Sequence, residues 1–415
     1  MATALNRREF LVGAAGVGAA GVLRYSGAGA RAPLVAARDA AHAARRVPFA
    51  ERTLVLCTLY GGNDGLNTVV PYEDPRYLAA RANIAMKPDS VLPIGDGLGL
   101  NPAMVSFKSL WDAHHLAIVR GVGYPDPNLS HFQSMDIWQT ASTTGDVASG
   151  WLGRWLDRTG ADPLRACSVG AQVLPAMAGD VRKASAVQDS TDASAQLPYV
   201  APDLLAVYRK LQRARPGDGA YEAAVATTGA EMLSTSKEFA HAIAHVPPPT
   251  YPNGVYGGDV GTQLGVVSQL IRANMPTKAY AVTQGGFDTH AGEVGTQSQL
   301  LGQLDAAVGA FYASLAGHPR GAGTTLVIYT EFGRRIDSNA SGGTDHGTAN
   351  DVFVVGPSVR GGFYGEQPSL KHVDPNGNLI HNVDFRSVYA TLLEHVIGVD
   401  PATFLGGRYP ALGFV

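Results

Sequence analysis

Five runs of apolar and β-branched residues stand out along the chain, and each has the length of a buried strand. They alternate little with polar residues, which is typical of strands in a parallel sheet that is covered on both faces. The five predicted strands span residues 53–59, 116–122, 279–283, 324–330 and 352–355.

Helical patterns lie between these runs. The clearest begins at Glu293 and carries one apolar stripe with helical spacing, made of Leu300, Leu304, Val308, Phe311 and Leu315. Further helices are predicted at residues 201–214, 217–245 and 384–396, the last with Asp384 as its N-cap.

The alternation of strands and helices predicts an α/β fold, a three-layer sandwich with a mostly parallel central sheet. We expect residues 45–415 to form a single domain. Within it, residues 150–250 are predicted to be an α-rich insertion or cap, because this helical stretch ends at the proline run 247–249.

Composition narrows the class of protein. The chain has 415 residues, of which 45% are hydrophobic and 16% charged, enough apolar material for a large core. A net charge of -3 is unlike the basic surface of a nucleic-acid binder, so no nucleic-acid partner is expected. The sequence has no phosphate-binding glycine motif that would indicate a nucleotide cofactor. Cys57 lies inside an apolar run, which favours two buried thiols at Cys57 and Cys167 over the disulfide that an exported protein permits.

The N-terminus has the pattern of a secretory signal. Arg7 and Arg8 precede an apolar run, residues 11–23, and the small residues 28–30 form a cleavage pattern. The paired arginines predict a twin-arginine signal over residues 1–30, recognised by the Tat export machinery, and hence a periplasmic or extracellular protein. The alternatives are an uncleaved anchor or an alanine-rich helix. The apolar run is short for a membrane span, and none is expected in the mature chain.

Acidic residues and histidines follow the predicted strands, at the edge where open α/β sheets bind ligands. Carboxylate and imidazole groups suit Zn²⁺, Mn²⁺ or Mg²⁺, and this many ligands predict one or two divalent cations. The predicted metal ligands are Asp64, Asp288, His290, Glu331, Asp345 and His346. Each motif also has a structural interpretation: a turn at Asp64, a helix cap at Asp288, an ion pair between Glu331 and an arginine, or a turn at Asp345.

A nucleophile is sought where the second predicted strand leads into a helix. Ser130 stands at that helix start, where free N–H groups favour an anion, and it is the candidate nucleophile, with His131 as a ligand or acid. The alternative is a capping serine beside a core histidine. Asn63, Asn128 and Arg334 are the predicted contacts to a bound oxyanion.

These motifs together resemble one known family. The resemblance rests on the paired arginines and on residues 61–71 (GGNDGLNTVVP), 129–132 (LSHF), 285–290 (GGFDTH), 330–334 (TEFGR) and 345–347 (DHG). In this order they are similar to the exported domain-of-unknown-function family 1501, which is grouped with the alkaline-phosphatase and sulfatase superfamily. The resemblance implies an alkaline-phosphatase-like fold with metal ligands at Asp64, Asp288, His290 and His346 and a nucleophile near Ser130.

The chain departs from the superfamily pattern at two places. Where the superfamily has an Asp-His pair after a strand, this chain has Glu331 followed by Phe332, which removes one ligand. The spacing from Asp288 to His290 is also shorter than usual. The sulfatase Cys-x-Pro-x-Arg signature is absent, which argues against a formylglycine sulfatase.

The sequence thus predicts an exported metal-dependent hydrolase of phosphate or sulfate-type esters, acting on a small molecule or a polymer. Attack would come from Ser130 or from a water on the metal. The alternative is a non-catalytic exported binding or surface-assembly protein with a degenerate or structural metal site, which the missing histidine at Phe332 favours.

Overall fold

The computed structural model describes residues 47–170, 172–192, 202–251 and 257–415. The predicted signal peptide, residues 1–30, lies outside the described residues. Among the described helices, none combines the length and apolar character that a membrane crossing requires.

Short and long strands alternate with helices along the chain. In chain order the strands are β1 (Thr53–Leu59), β2 (Val69–Val70), β3 (Leu92–Gly95), β4 (Leu98–Leu100), β5 (Leu116–Gly123), β6 (Ala166–Val169), β7 (Ser185–Val187), β8 (Ala279–Gln284), β9 (Thr324–Thr330), β10 (Arg334–Ser338), β11 (Thr344–His346), β12 (Asn350–Val355), β13 (Gly362–Tyr364) and β14 (Val383–Asp384). All five predicted strands are present, as β1, β5, β8, β9 and β12.

The helices pack around these strands. They are α1 (Pro75–Ala80), α2 (Val105–Asp112), α3 (His131–Thr140), α4 (Trp151–Arg158), α5 (Pro202–Leu211), α6 (Ala220–Ala244), α7 (Gly258–Arg272), α8 (Glu293–Leu315), α9 (Pro319–Ala322), α10 (Phe385–Leu392) and α11 (Ala402–Leu405). The Asp384 carboxylate accepts from the amide of Arg386 and so caps α10, as predicted.

One large sheet forms the centre of the molecule. Its strand order is β13-β5-β12-β9-β1-β8-β6-β7, and β14 pairs with β5 beside this path. β12 is antiparallel to both neighbours, β5 and β9, while the other pairs are parallel. Because β12 alone is reversed in this sheet, β1, β5, β8 and β9 all end at the same edge.

Helices cover both faces of this sheet. Along β1, Val55 and Cys57 face a core shared with α7 and α8, whereas Leu54 and Leu56 face a core shared with α4 and α10. All residues of β1 are therefore buried, which explains the continuous apolar run. The predicted fold class, a three-layer α/β sandwich with a mostly parallel sheet, is confirmed.

Residues 150–250, the predicted α-rich insertion, supply both strands and helices. β6 and β7 extend the central sheet beyond β8, and α6 lies next to α7 on one face. Cys167 in β6 and Cys57 in β1 are both buried free thiols on strands that β8 separates. The domain boundaries themselves stay a prediction.

Candidate metal centre

The carboxyl edge of the central sheet collects the side chains that the sequence singled out. The loop after β8 carries Asp288 and His290, α3 begins at His131 beyond β5, and Glu331 follows β9 directly. His346 ends β11, shortly before the reversed strand β12 begins at this same edge. The one antiparallel strand thus explains why a histidine that precedes a strand meets residues that follow strands.

One carboxylate oxygen lies at the centre of this group. Oδ1 of Asp288 is 3.0 Å from Nε2 of His290, 3.2 Å from Nε2 of His346 and 3.4 Å from Nε2 of His131. Nε2 of His290 also lies 3.0 Å from Nε2 of His346. These four residues, His131, Asp288, His290 and His346, are called the metal cluster below.

Each imidazole of the metal cluster is oriented through its other nitrogen. Nδ1 of His131 lies 2.7 Å from Oε1 of Glu331, and Nδ1 of His346 lies 2.8 Å from the carbonyl of Leu129. Nδ1 of His290 is 3.1 Å from Oδ1 of Asp345. Since these partners are acceptors, each Nδ1 donates, and the Nε2 lone pairs face the common centre. Metal-ligating histidines are held in this way.

The arrangement of the nitrogens fits a cation. Nε2 of His131 is buried without a hydrogen-bond partner among the described residues, and the Nε2 atoms of His290 and His346 face each other. Two neutral imidazole lone pairs repel unless a proton or a metal ion lies between them. The donor atoms of His131, Asp288 and His346 all lie within 4.8 Å of one another, close enough to share one cation, whereas His290 stands beside this set of three.

Arg334 fixes the carboxylate of the metal cluster. Its Nη2 donates to Oδ1 of Asp288 at 2.6 Å and also contacts the carbonyls of Gly61 and Phe287. Its Nε and Nη1 donate to the carbonyls of Gly62 and Thr344. Partial burial of Asp288 opposes its ionisation, but the hydrogen bond and the positive charge of Arg334 prevail and lower its pKa to about 2. Asp288 is therefore ionised at neutral pH. Because the donors of Arg334 are used within the protein, this geometry supports positioning of Asp288 rather than the predicted contact to a substrate.

Two predicted metal ligands lie behind the imidazoles instead of among them. Glu331 is buried and accepts from His131, from the amide of Gly61 at 2.9 Å and from Oγ1 of Thr330 at 2.7 Å. Asp345 is exposed and orients His290. In the structure the oxygens of both residues face Nδ1 atoms of the imidazoles, and their role as direct ligands stays a prediction.

The structure does not bring Asp64 into the metal cluster. Its carboxylate forms a fully buried ion pair with Arg81 and accepts from the amide of Leu66 at 3.1 Å. Burial opposes ionisation of Asp64, yet the charge of Arg81 lowers its pKa. Sequence reasoning missed Arg81, although a buried carboxylate next to a strand requires a cation, and arginine is one source.

The predicted oxyanion contacts are also engaged inside the protein. Asn63 is buried and donates to Oγ1 of Thr68 at 3.0 Å. Asn128 accepts from the amide of Ser130 at 2.8 Å and so shapes the start of α3. Ser130 is the N-cap residue of α3, as predicted, and its hydroxyl makes no capping hydrogen bond. It remains a candidate nucleophile next to His131.

Phe332 occupies the place where the family resemblance implies a histidine. Its ring centroid lies 4.9 Å from the ring of His131 and 4.9 Å from that of His346. A Cβ at Gly62, whose φ is +67°, would collide with this ring. The glycines after β1 therefore allow an apolar ring to pack against two imidazoles.

The metal cluster is open to solvent on one side. The side chains of Asp288 and His290 are 47% and 45% exposed, whereas Glu331 and Arg334 are closed off from solvent. A ligand can therefore reach the outer side of the cluster while its inner side is held rigidly.

Comparisons with known proteins identify the family of the chain. No curated protein matches the chain. An alkaline phosphatase superfamily protein of Vibrio parahaemolyticus is similar to it over 90% of this chain and 77% of that chain, with 11% identity and a TM-score of 0.39. Phosphonoacetate hydrolase of Sinorhizobium meliloti is similar over 70% of this chain and 58% of that chain, with 15% identity and a TM-score of 0.29. The lipoteichoic acid synthase LtaP of Listeria monocytogenes is similar over 90% of this chain and 80% of that chain, with 9% identity and a TM-score of 0.37. The sequence profile described as "Protein of unknown function (DUF1501)" matches residues 118–408, well over half of the chain, and the chain belongs to that family.

Proposed function

We propose that this chain is an exported metal-dependent hydrolase of phosphate or sulfate-type esters. The observation that carries the proposal is the convergence of three imidazole Nε2 atoms on Oδ1 of Asp288 at the solvent-open carboxyl edge of the sheet. His131, Asp288 and His346 would hold one divalent cation there, with His290 as a further candidate ligand beside them. A donor set rich in imidazole favours Zn²⁺ or Mn²⁺ over Mg²⁺.

One cation is proposed rather than two. A second ion would require Asp64 and a histidine at position 332 as ligands. Asp64 is instead neutralised by the guanidinium of Arg81, and position 332 carries a phenylalanine. Arg81 thus supplies the positive charge that a second ion would bring.

The cation would stabilise the charge that develops on the oxygens of a phosphoryl or sulfuryl group. It would also lower the pKa of a water molecule bound to it. Arg334 holds Asp288 ionised, and Glu331 holds His131 in one tautomer. Ser130, directly before His131 at the start of α3, would attack the ester and form a bond to phosphorus or sulfur as the alcohol leaves. Water would then release the product. Direct attack by water is the alternative route.

Metal content and turnover test the proposal. We expect about one equivalent of Zn or Mn per chain by mass spectrometry. We also expect turnover of p-nitrophenyl phosphate, bis-p-nitrophenyl phosphate or p-nitrophenyl sulfate that Asp288→Ala and His346→Ala abolish. His245→Ala, on the exposed end of α6, is the matched control. Ser130→Ala separates the two routes, since only attack by Ser130 requires its hydroxyl. Folded, metal-loaded protein without turnover on these esters would contradict the hydrolase proposal.

One observation favours the second candidate, a non-catalytic protein with a structural ion. Nε2 of His290 lies 3.0 Å from both Oδ1 of Asp288 and Nε2 of His346. If His290 joined His131, Asp288 and His346 on one ion, four protein ligands would complete a tetrahedron, as in structural zinc sites, which leave no position for a substrate. A coordinated water detected by spectroscopy of the Co²⁺-substituted protein would exclude this candidate. A closed four-ligand spectrum, together with no turnover, would favour it.

Export is part of the proposal and has its own test. Residues 1–30 carry Arg7 and Arg8 before an apolar run, and the mature chain would reach the periplasm or the medium through the Tat machinery. Replacing both arginines with lysine is expected to retain the protein in the cytoplasm, as cell fractionation would show. Unchanged export would contradict the twin-arginine route.

A further inference from the structure

A cavity of ≈ 390 Å³ lies at the carboxyl edge of the central sheet, beyond the metal cluster. It is bounded by the ends of β6 and β8 and by the helices α7 and α8. Gln284, Gln303, Asp189 and Asp259 are its main polar residues. Its volume is within the range of small-molecule sites.

Gln284 lines this cavity and carries a buried, unsatisfied acceptor. Along β8, Tyr280 and Val282 face α7 and α8, so Gln284 at the end of the strand faces the same side. The residue is 6% exposed, and its Nε2 donates to the carbonyl of Leu300 at 2.9 Å. Its Oε1 has no hydrogen-bond partner among the described residues. A buried carbonyl without a partner costs free energy, which a ligand that donates a hydrogen bond would recover.

The wall of the cavity is rigid next to this acceptor. Gln263 on α7 donates from Nε2 to the carbonyl of Thr283 at 2.9 Å and accepts from the amide of Thr283 at 2.8 Å. Both ends of the Gln263 amide are thus used to hold β8 against α7. The cavity is therefore formed without a ligand, and little ordering free energy is lost on binding.

The charge of the rim defines the class of ligand. Asp189 and Asp259 are exposed, and neither has a hydrogen-bond or ion-pair partner in the described part of the chain. Two carboxylates repel an anion. Together with Oε1 of Gln284 they form a set of acceptors, which requires a ligand rich in donors. The buried acceptor is a neutral amide oxygen, which matches a hydroxyl better than an ammonium group, whose desolvation is costly.

We infer that this cavity binds a neutral, hydroxyl-rich group such as a saccharide or polyol. Gln284, the last residue of β8, precedes Asp288 by only four residues, a stretch of chain that spans at most about 14 Å. A second part of this inference rests on the proposed function. The ester substrate carries a saccharide, and the cavity holds the saccharide while the metal cluster holds the ester group.

Binding of maltotriose and sorbitol to the purified full chain tests the inference. Saturation-transfer NMR is expected to show both bound, with the dissociation constant raised about tenfold in the double variant Asp189→Ala/Asp259→Ala. These residues are exposed and without partners, so the variant is expected to fold. Gln284→Met tests the buried acceptor, and Asp89→Ala, an exposed aspartate elsewhere, is the matched control.

The outcomes separate this inference from the proposed function. His346→Ala is expected to lose metal and turnover but to keep maltotriose binding. Saccharide binding that the cavity variants weaken supports the inference even if no ester is hydrolysed. The inference is overturned if neither probe binds, if the cavity variants bind as well as the control, or if ethanolamine binds there and the saccharides do not.

Discussion

Arg81 and Asp64 form an ion pair in which neither side chain is accessible to solvent. Arg81 also donates to the carbonyl of Ile336 at 2.9 Å and to that of Arg335 at 2.6 Å. The pair therefore joins the loop after β1 to β10, which leads from the β9 end toward β11 and His346. Asp64, whose motif resembles that of a metal-binding acid, therefore helps to hold together the loops that carry the site.

Replacing Arg81 with methionine is expected to destabilise the fold by about 3–5 kcal/mol, since it leaves a buried carboxylate without its cation. Urea unfolding monitored by circular dichroism measures this change. Arg76→Met, at an exposed pair with Asp74, is the control and is expected to leave the unfolding midpoint nearly unchanged.

The ion pair between Arg81 and Asp64 also leads to a prediction about metal binding. Asp64→Asn is expected to keep a full equivalent of bound ion, because Asp64 lies outside the metal cluster. If Asp64→Asn loses the ion while its fold is intact, Asp64 is a ligand after all and the one-cation interpretation is wrong.

Glu331→Gln is expected to weaken metal binding by about 10- to 100-fold without unfolding the chain, because Glu331 orients His131 and increases its basicity. Competition with a chromophoric chelator measures the affinity. Glu394→Gln is a suitable control, since that carboxylate also lies near a histidine, His395, but is exposed and distant from the metal cluster. Equal affinity in wild type and Glu331→Gln would argue against a role for Glu331 behind the ligand.

Much of the fold could be predicted because its determinants are local. The continuous apolar runs of β1, β5, β8 and β9 reflect burial on both faces, and the stripe on α8 reflects one buried face. β6 and β7 were missed because each is short and lies in a stretch dominated by helical patterns. β6 joins the sheet by pairing with β8, which is distant in sequence, and β7 then pairs with β6.

The site was predicted less completely, for a physical reason. Strand ends show which loops meet, and Asp288, His290 and His346 do meet. A linear pattern does not contain the distances that decide whether a carboxylate oxygen faces the common centre or an Nδ1 atom. The sequence therefore could not distinguish the positions of Glu331 and Asp64 from that of Asp288. His131 was assigned with Ser130 to catalysis, and only the reversed strand β12 brings His346 next to it.

Stability is expected to depend on pH through Glu293, the first residue of α8. Burial, together with the neighbouring charge of Asp64, raises the pKa of Glu293 from its usual 4.5 to about 9. The folded chain thus keeps a proton on Glu293 that the unfolded chain loses above pH 4.5. Its contribution is complete below that pH and is lost as the pH rises toward 9.

Glu293→Gln removes this titration while it keeps a neutral side chain of the same shape. Relative to wild type, the variant is expected to gain stability between pH 5 and about 9. Thermal unfolding with a chelator present, so that metal release does not contribute, measures the difference. A difference that stays constant across this range would show that Glu293 is ionised in the folded chain.

Gly61→Ala is expected to damage the metal cluster through the backbone. Gly61 has a φ of +114°, and a Cβ there would collide with the backbone nitrogen of Asp288. The loop after β8 would have to shift, and a displacement of a fraction of an ångström at Asp288 breaks the shared coordination distances. We expect lower metal affinity together with a loss of stability of about 1–3 kcal/mol. Gly295→Ala on α8 is the control, because it has open space around it and an ordinary φ, and it is expected to bind metal like wild type and to unfold no earlier. Wild-type metal affinity in Gly61→Ala would mean that the β1 and β8 loops do not pack this closely.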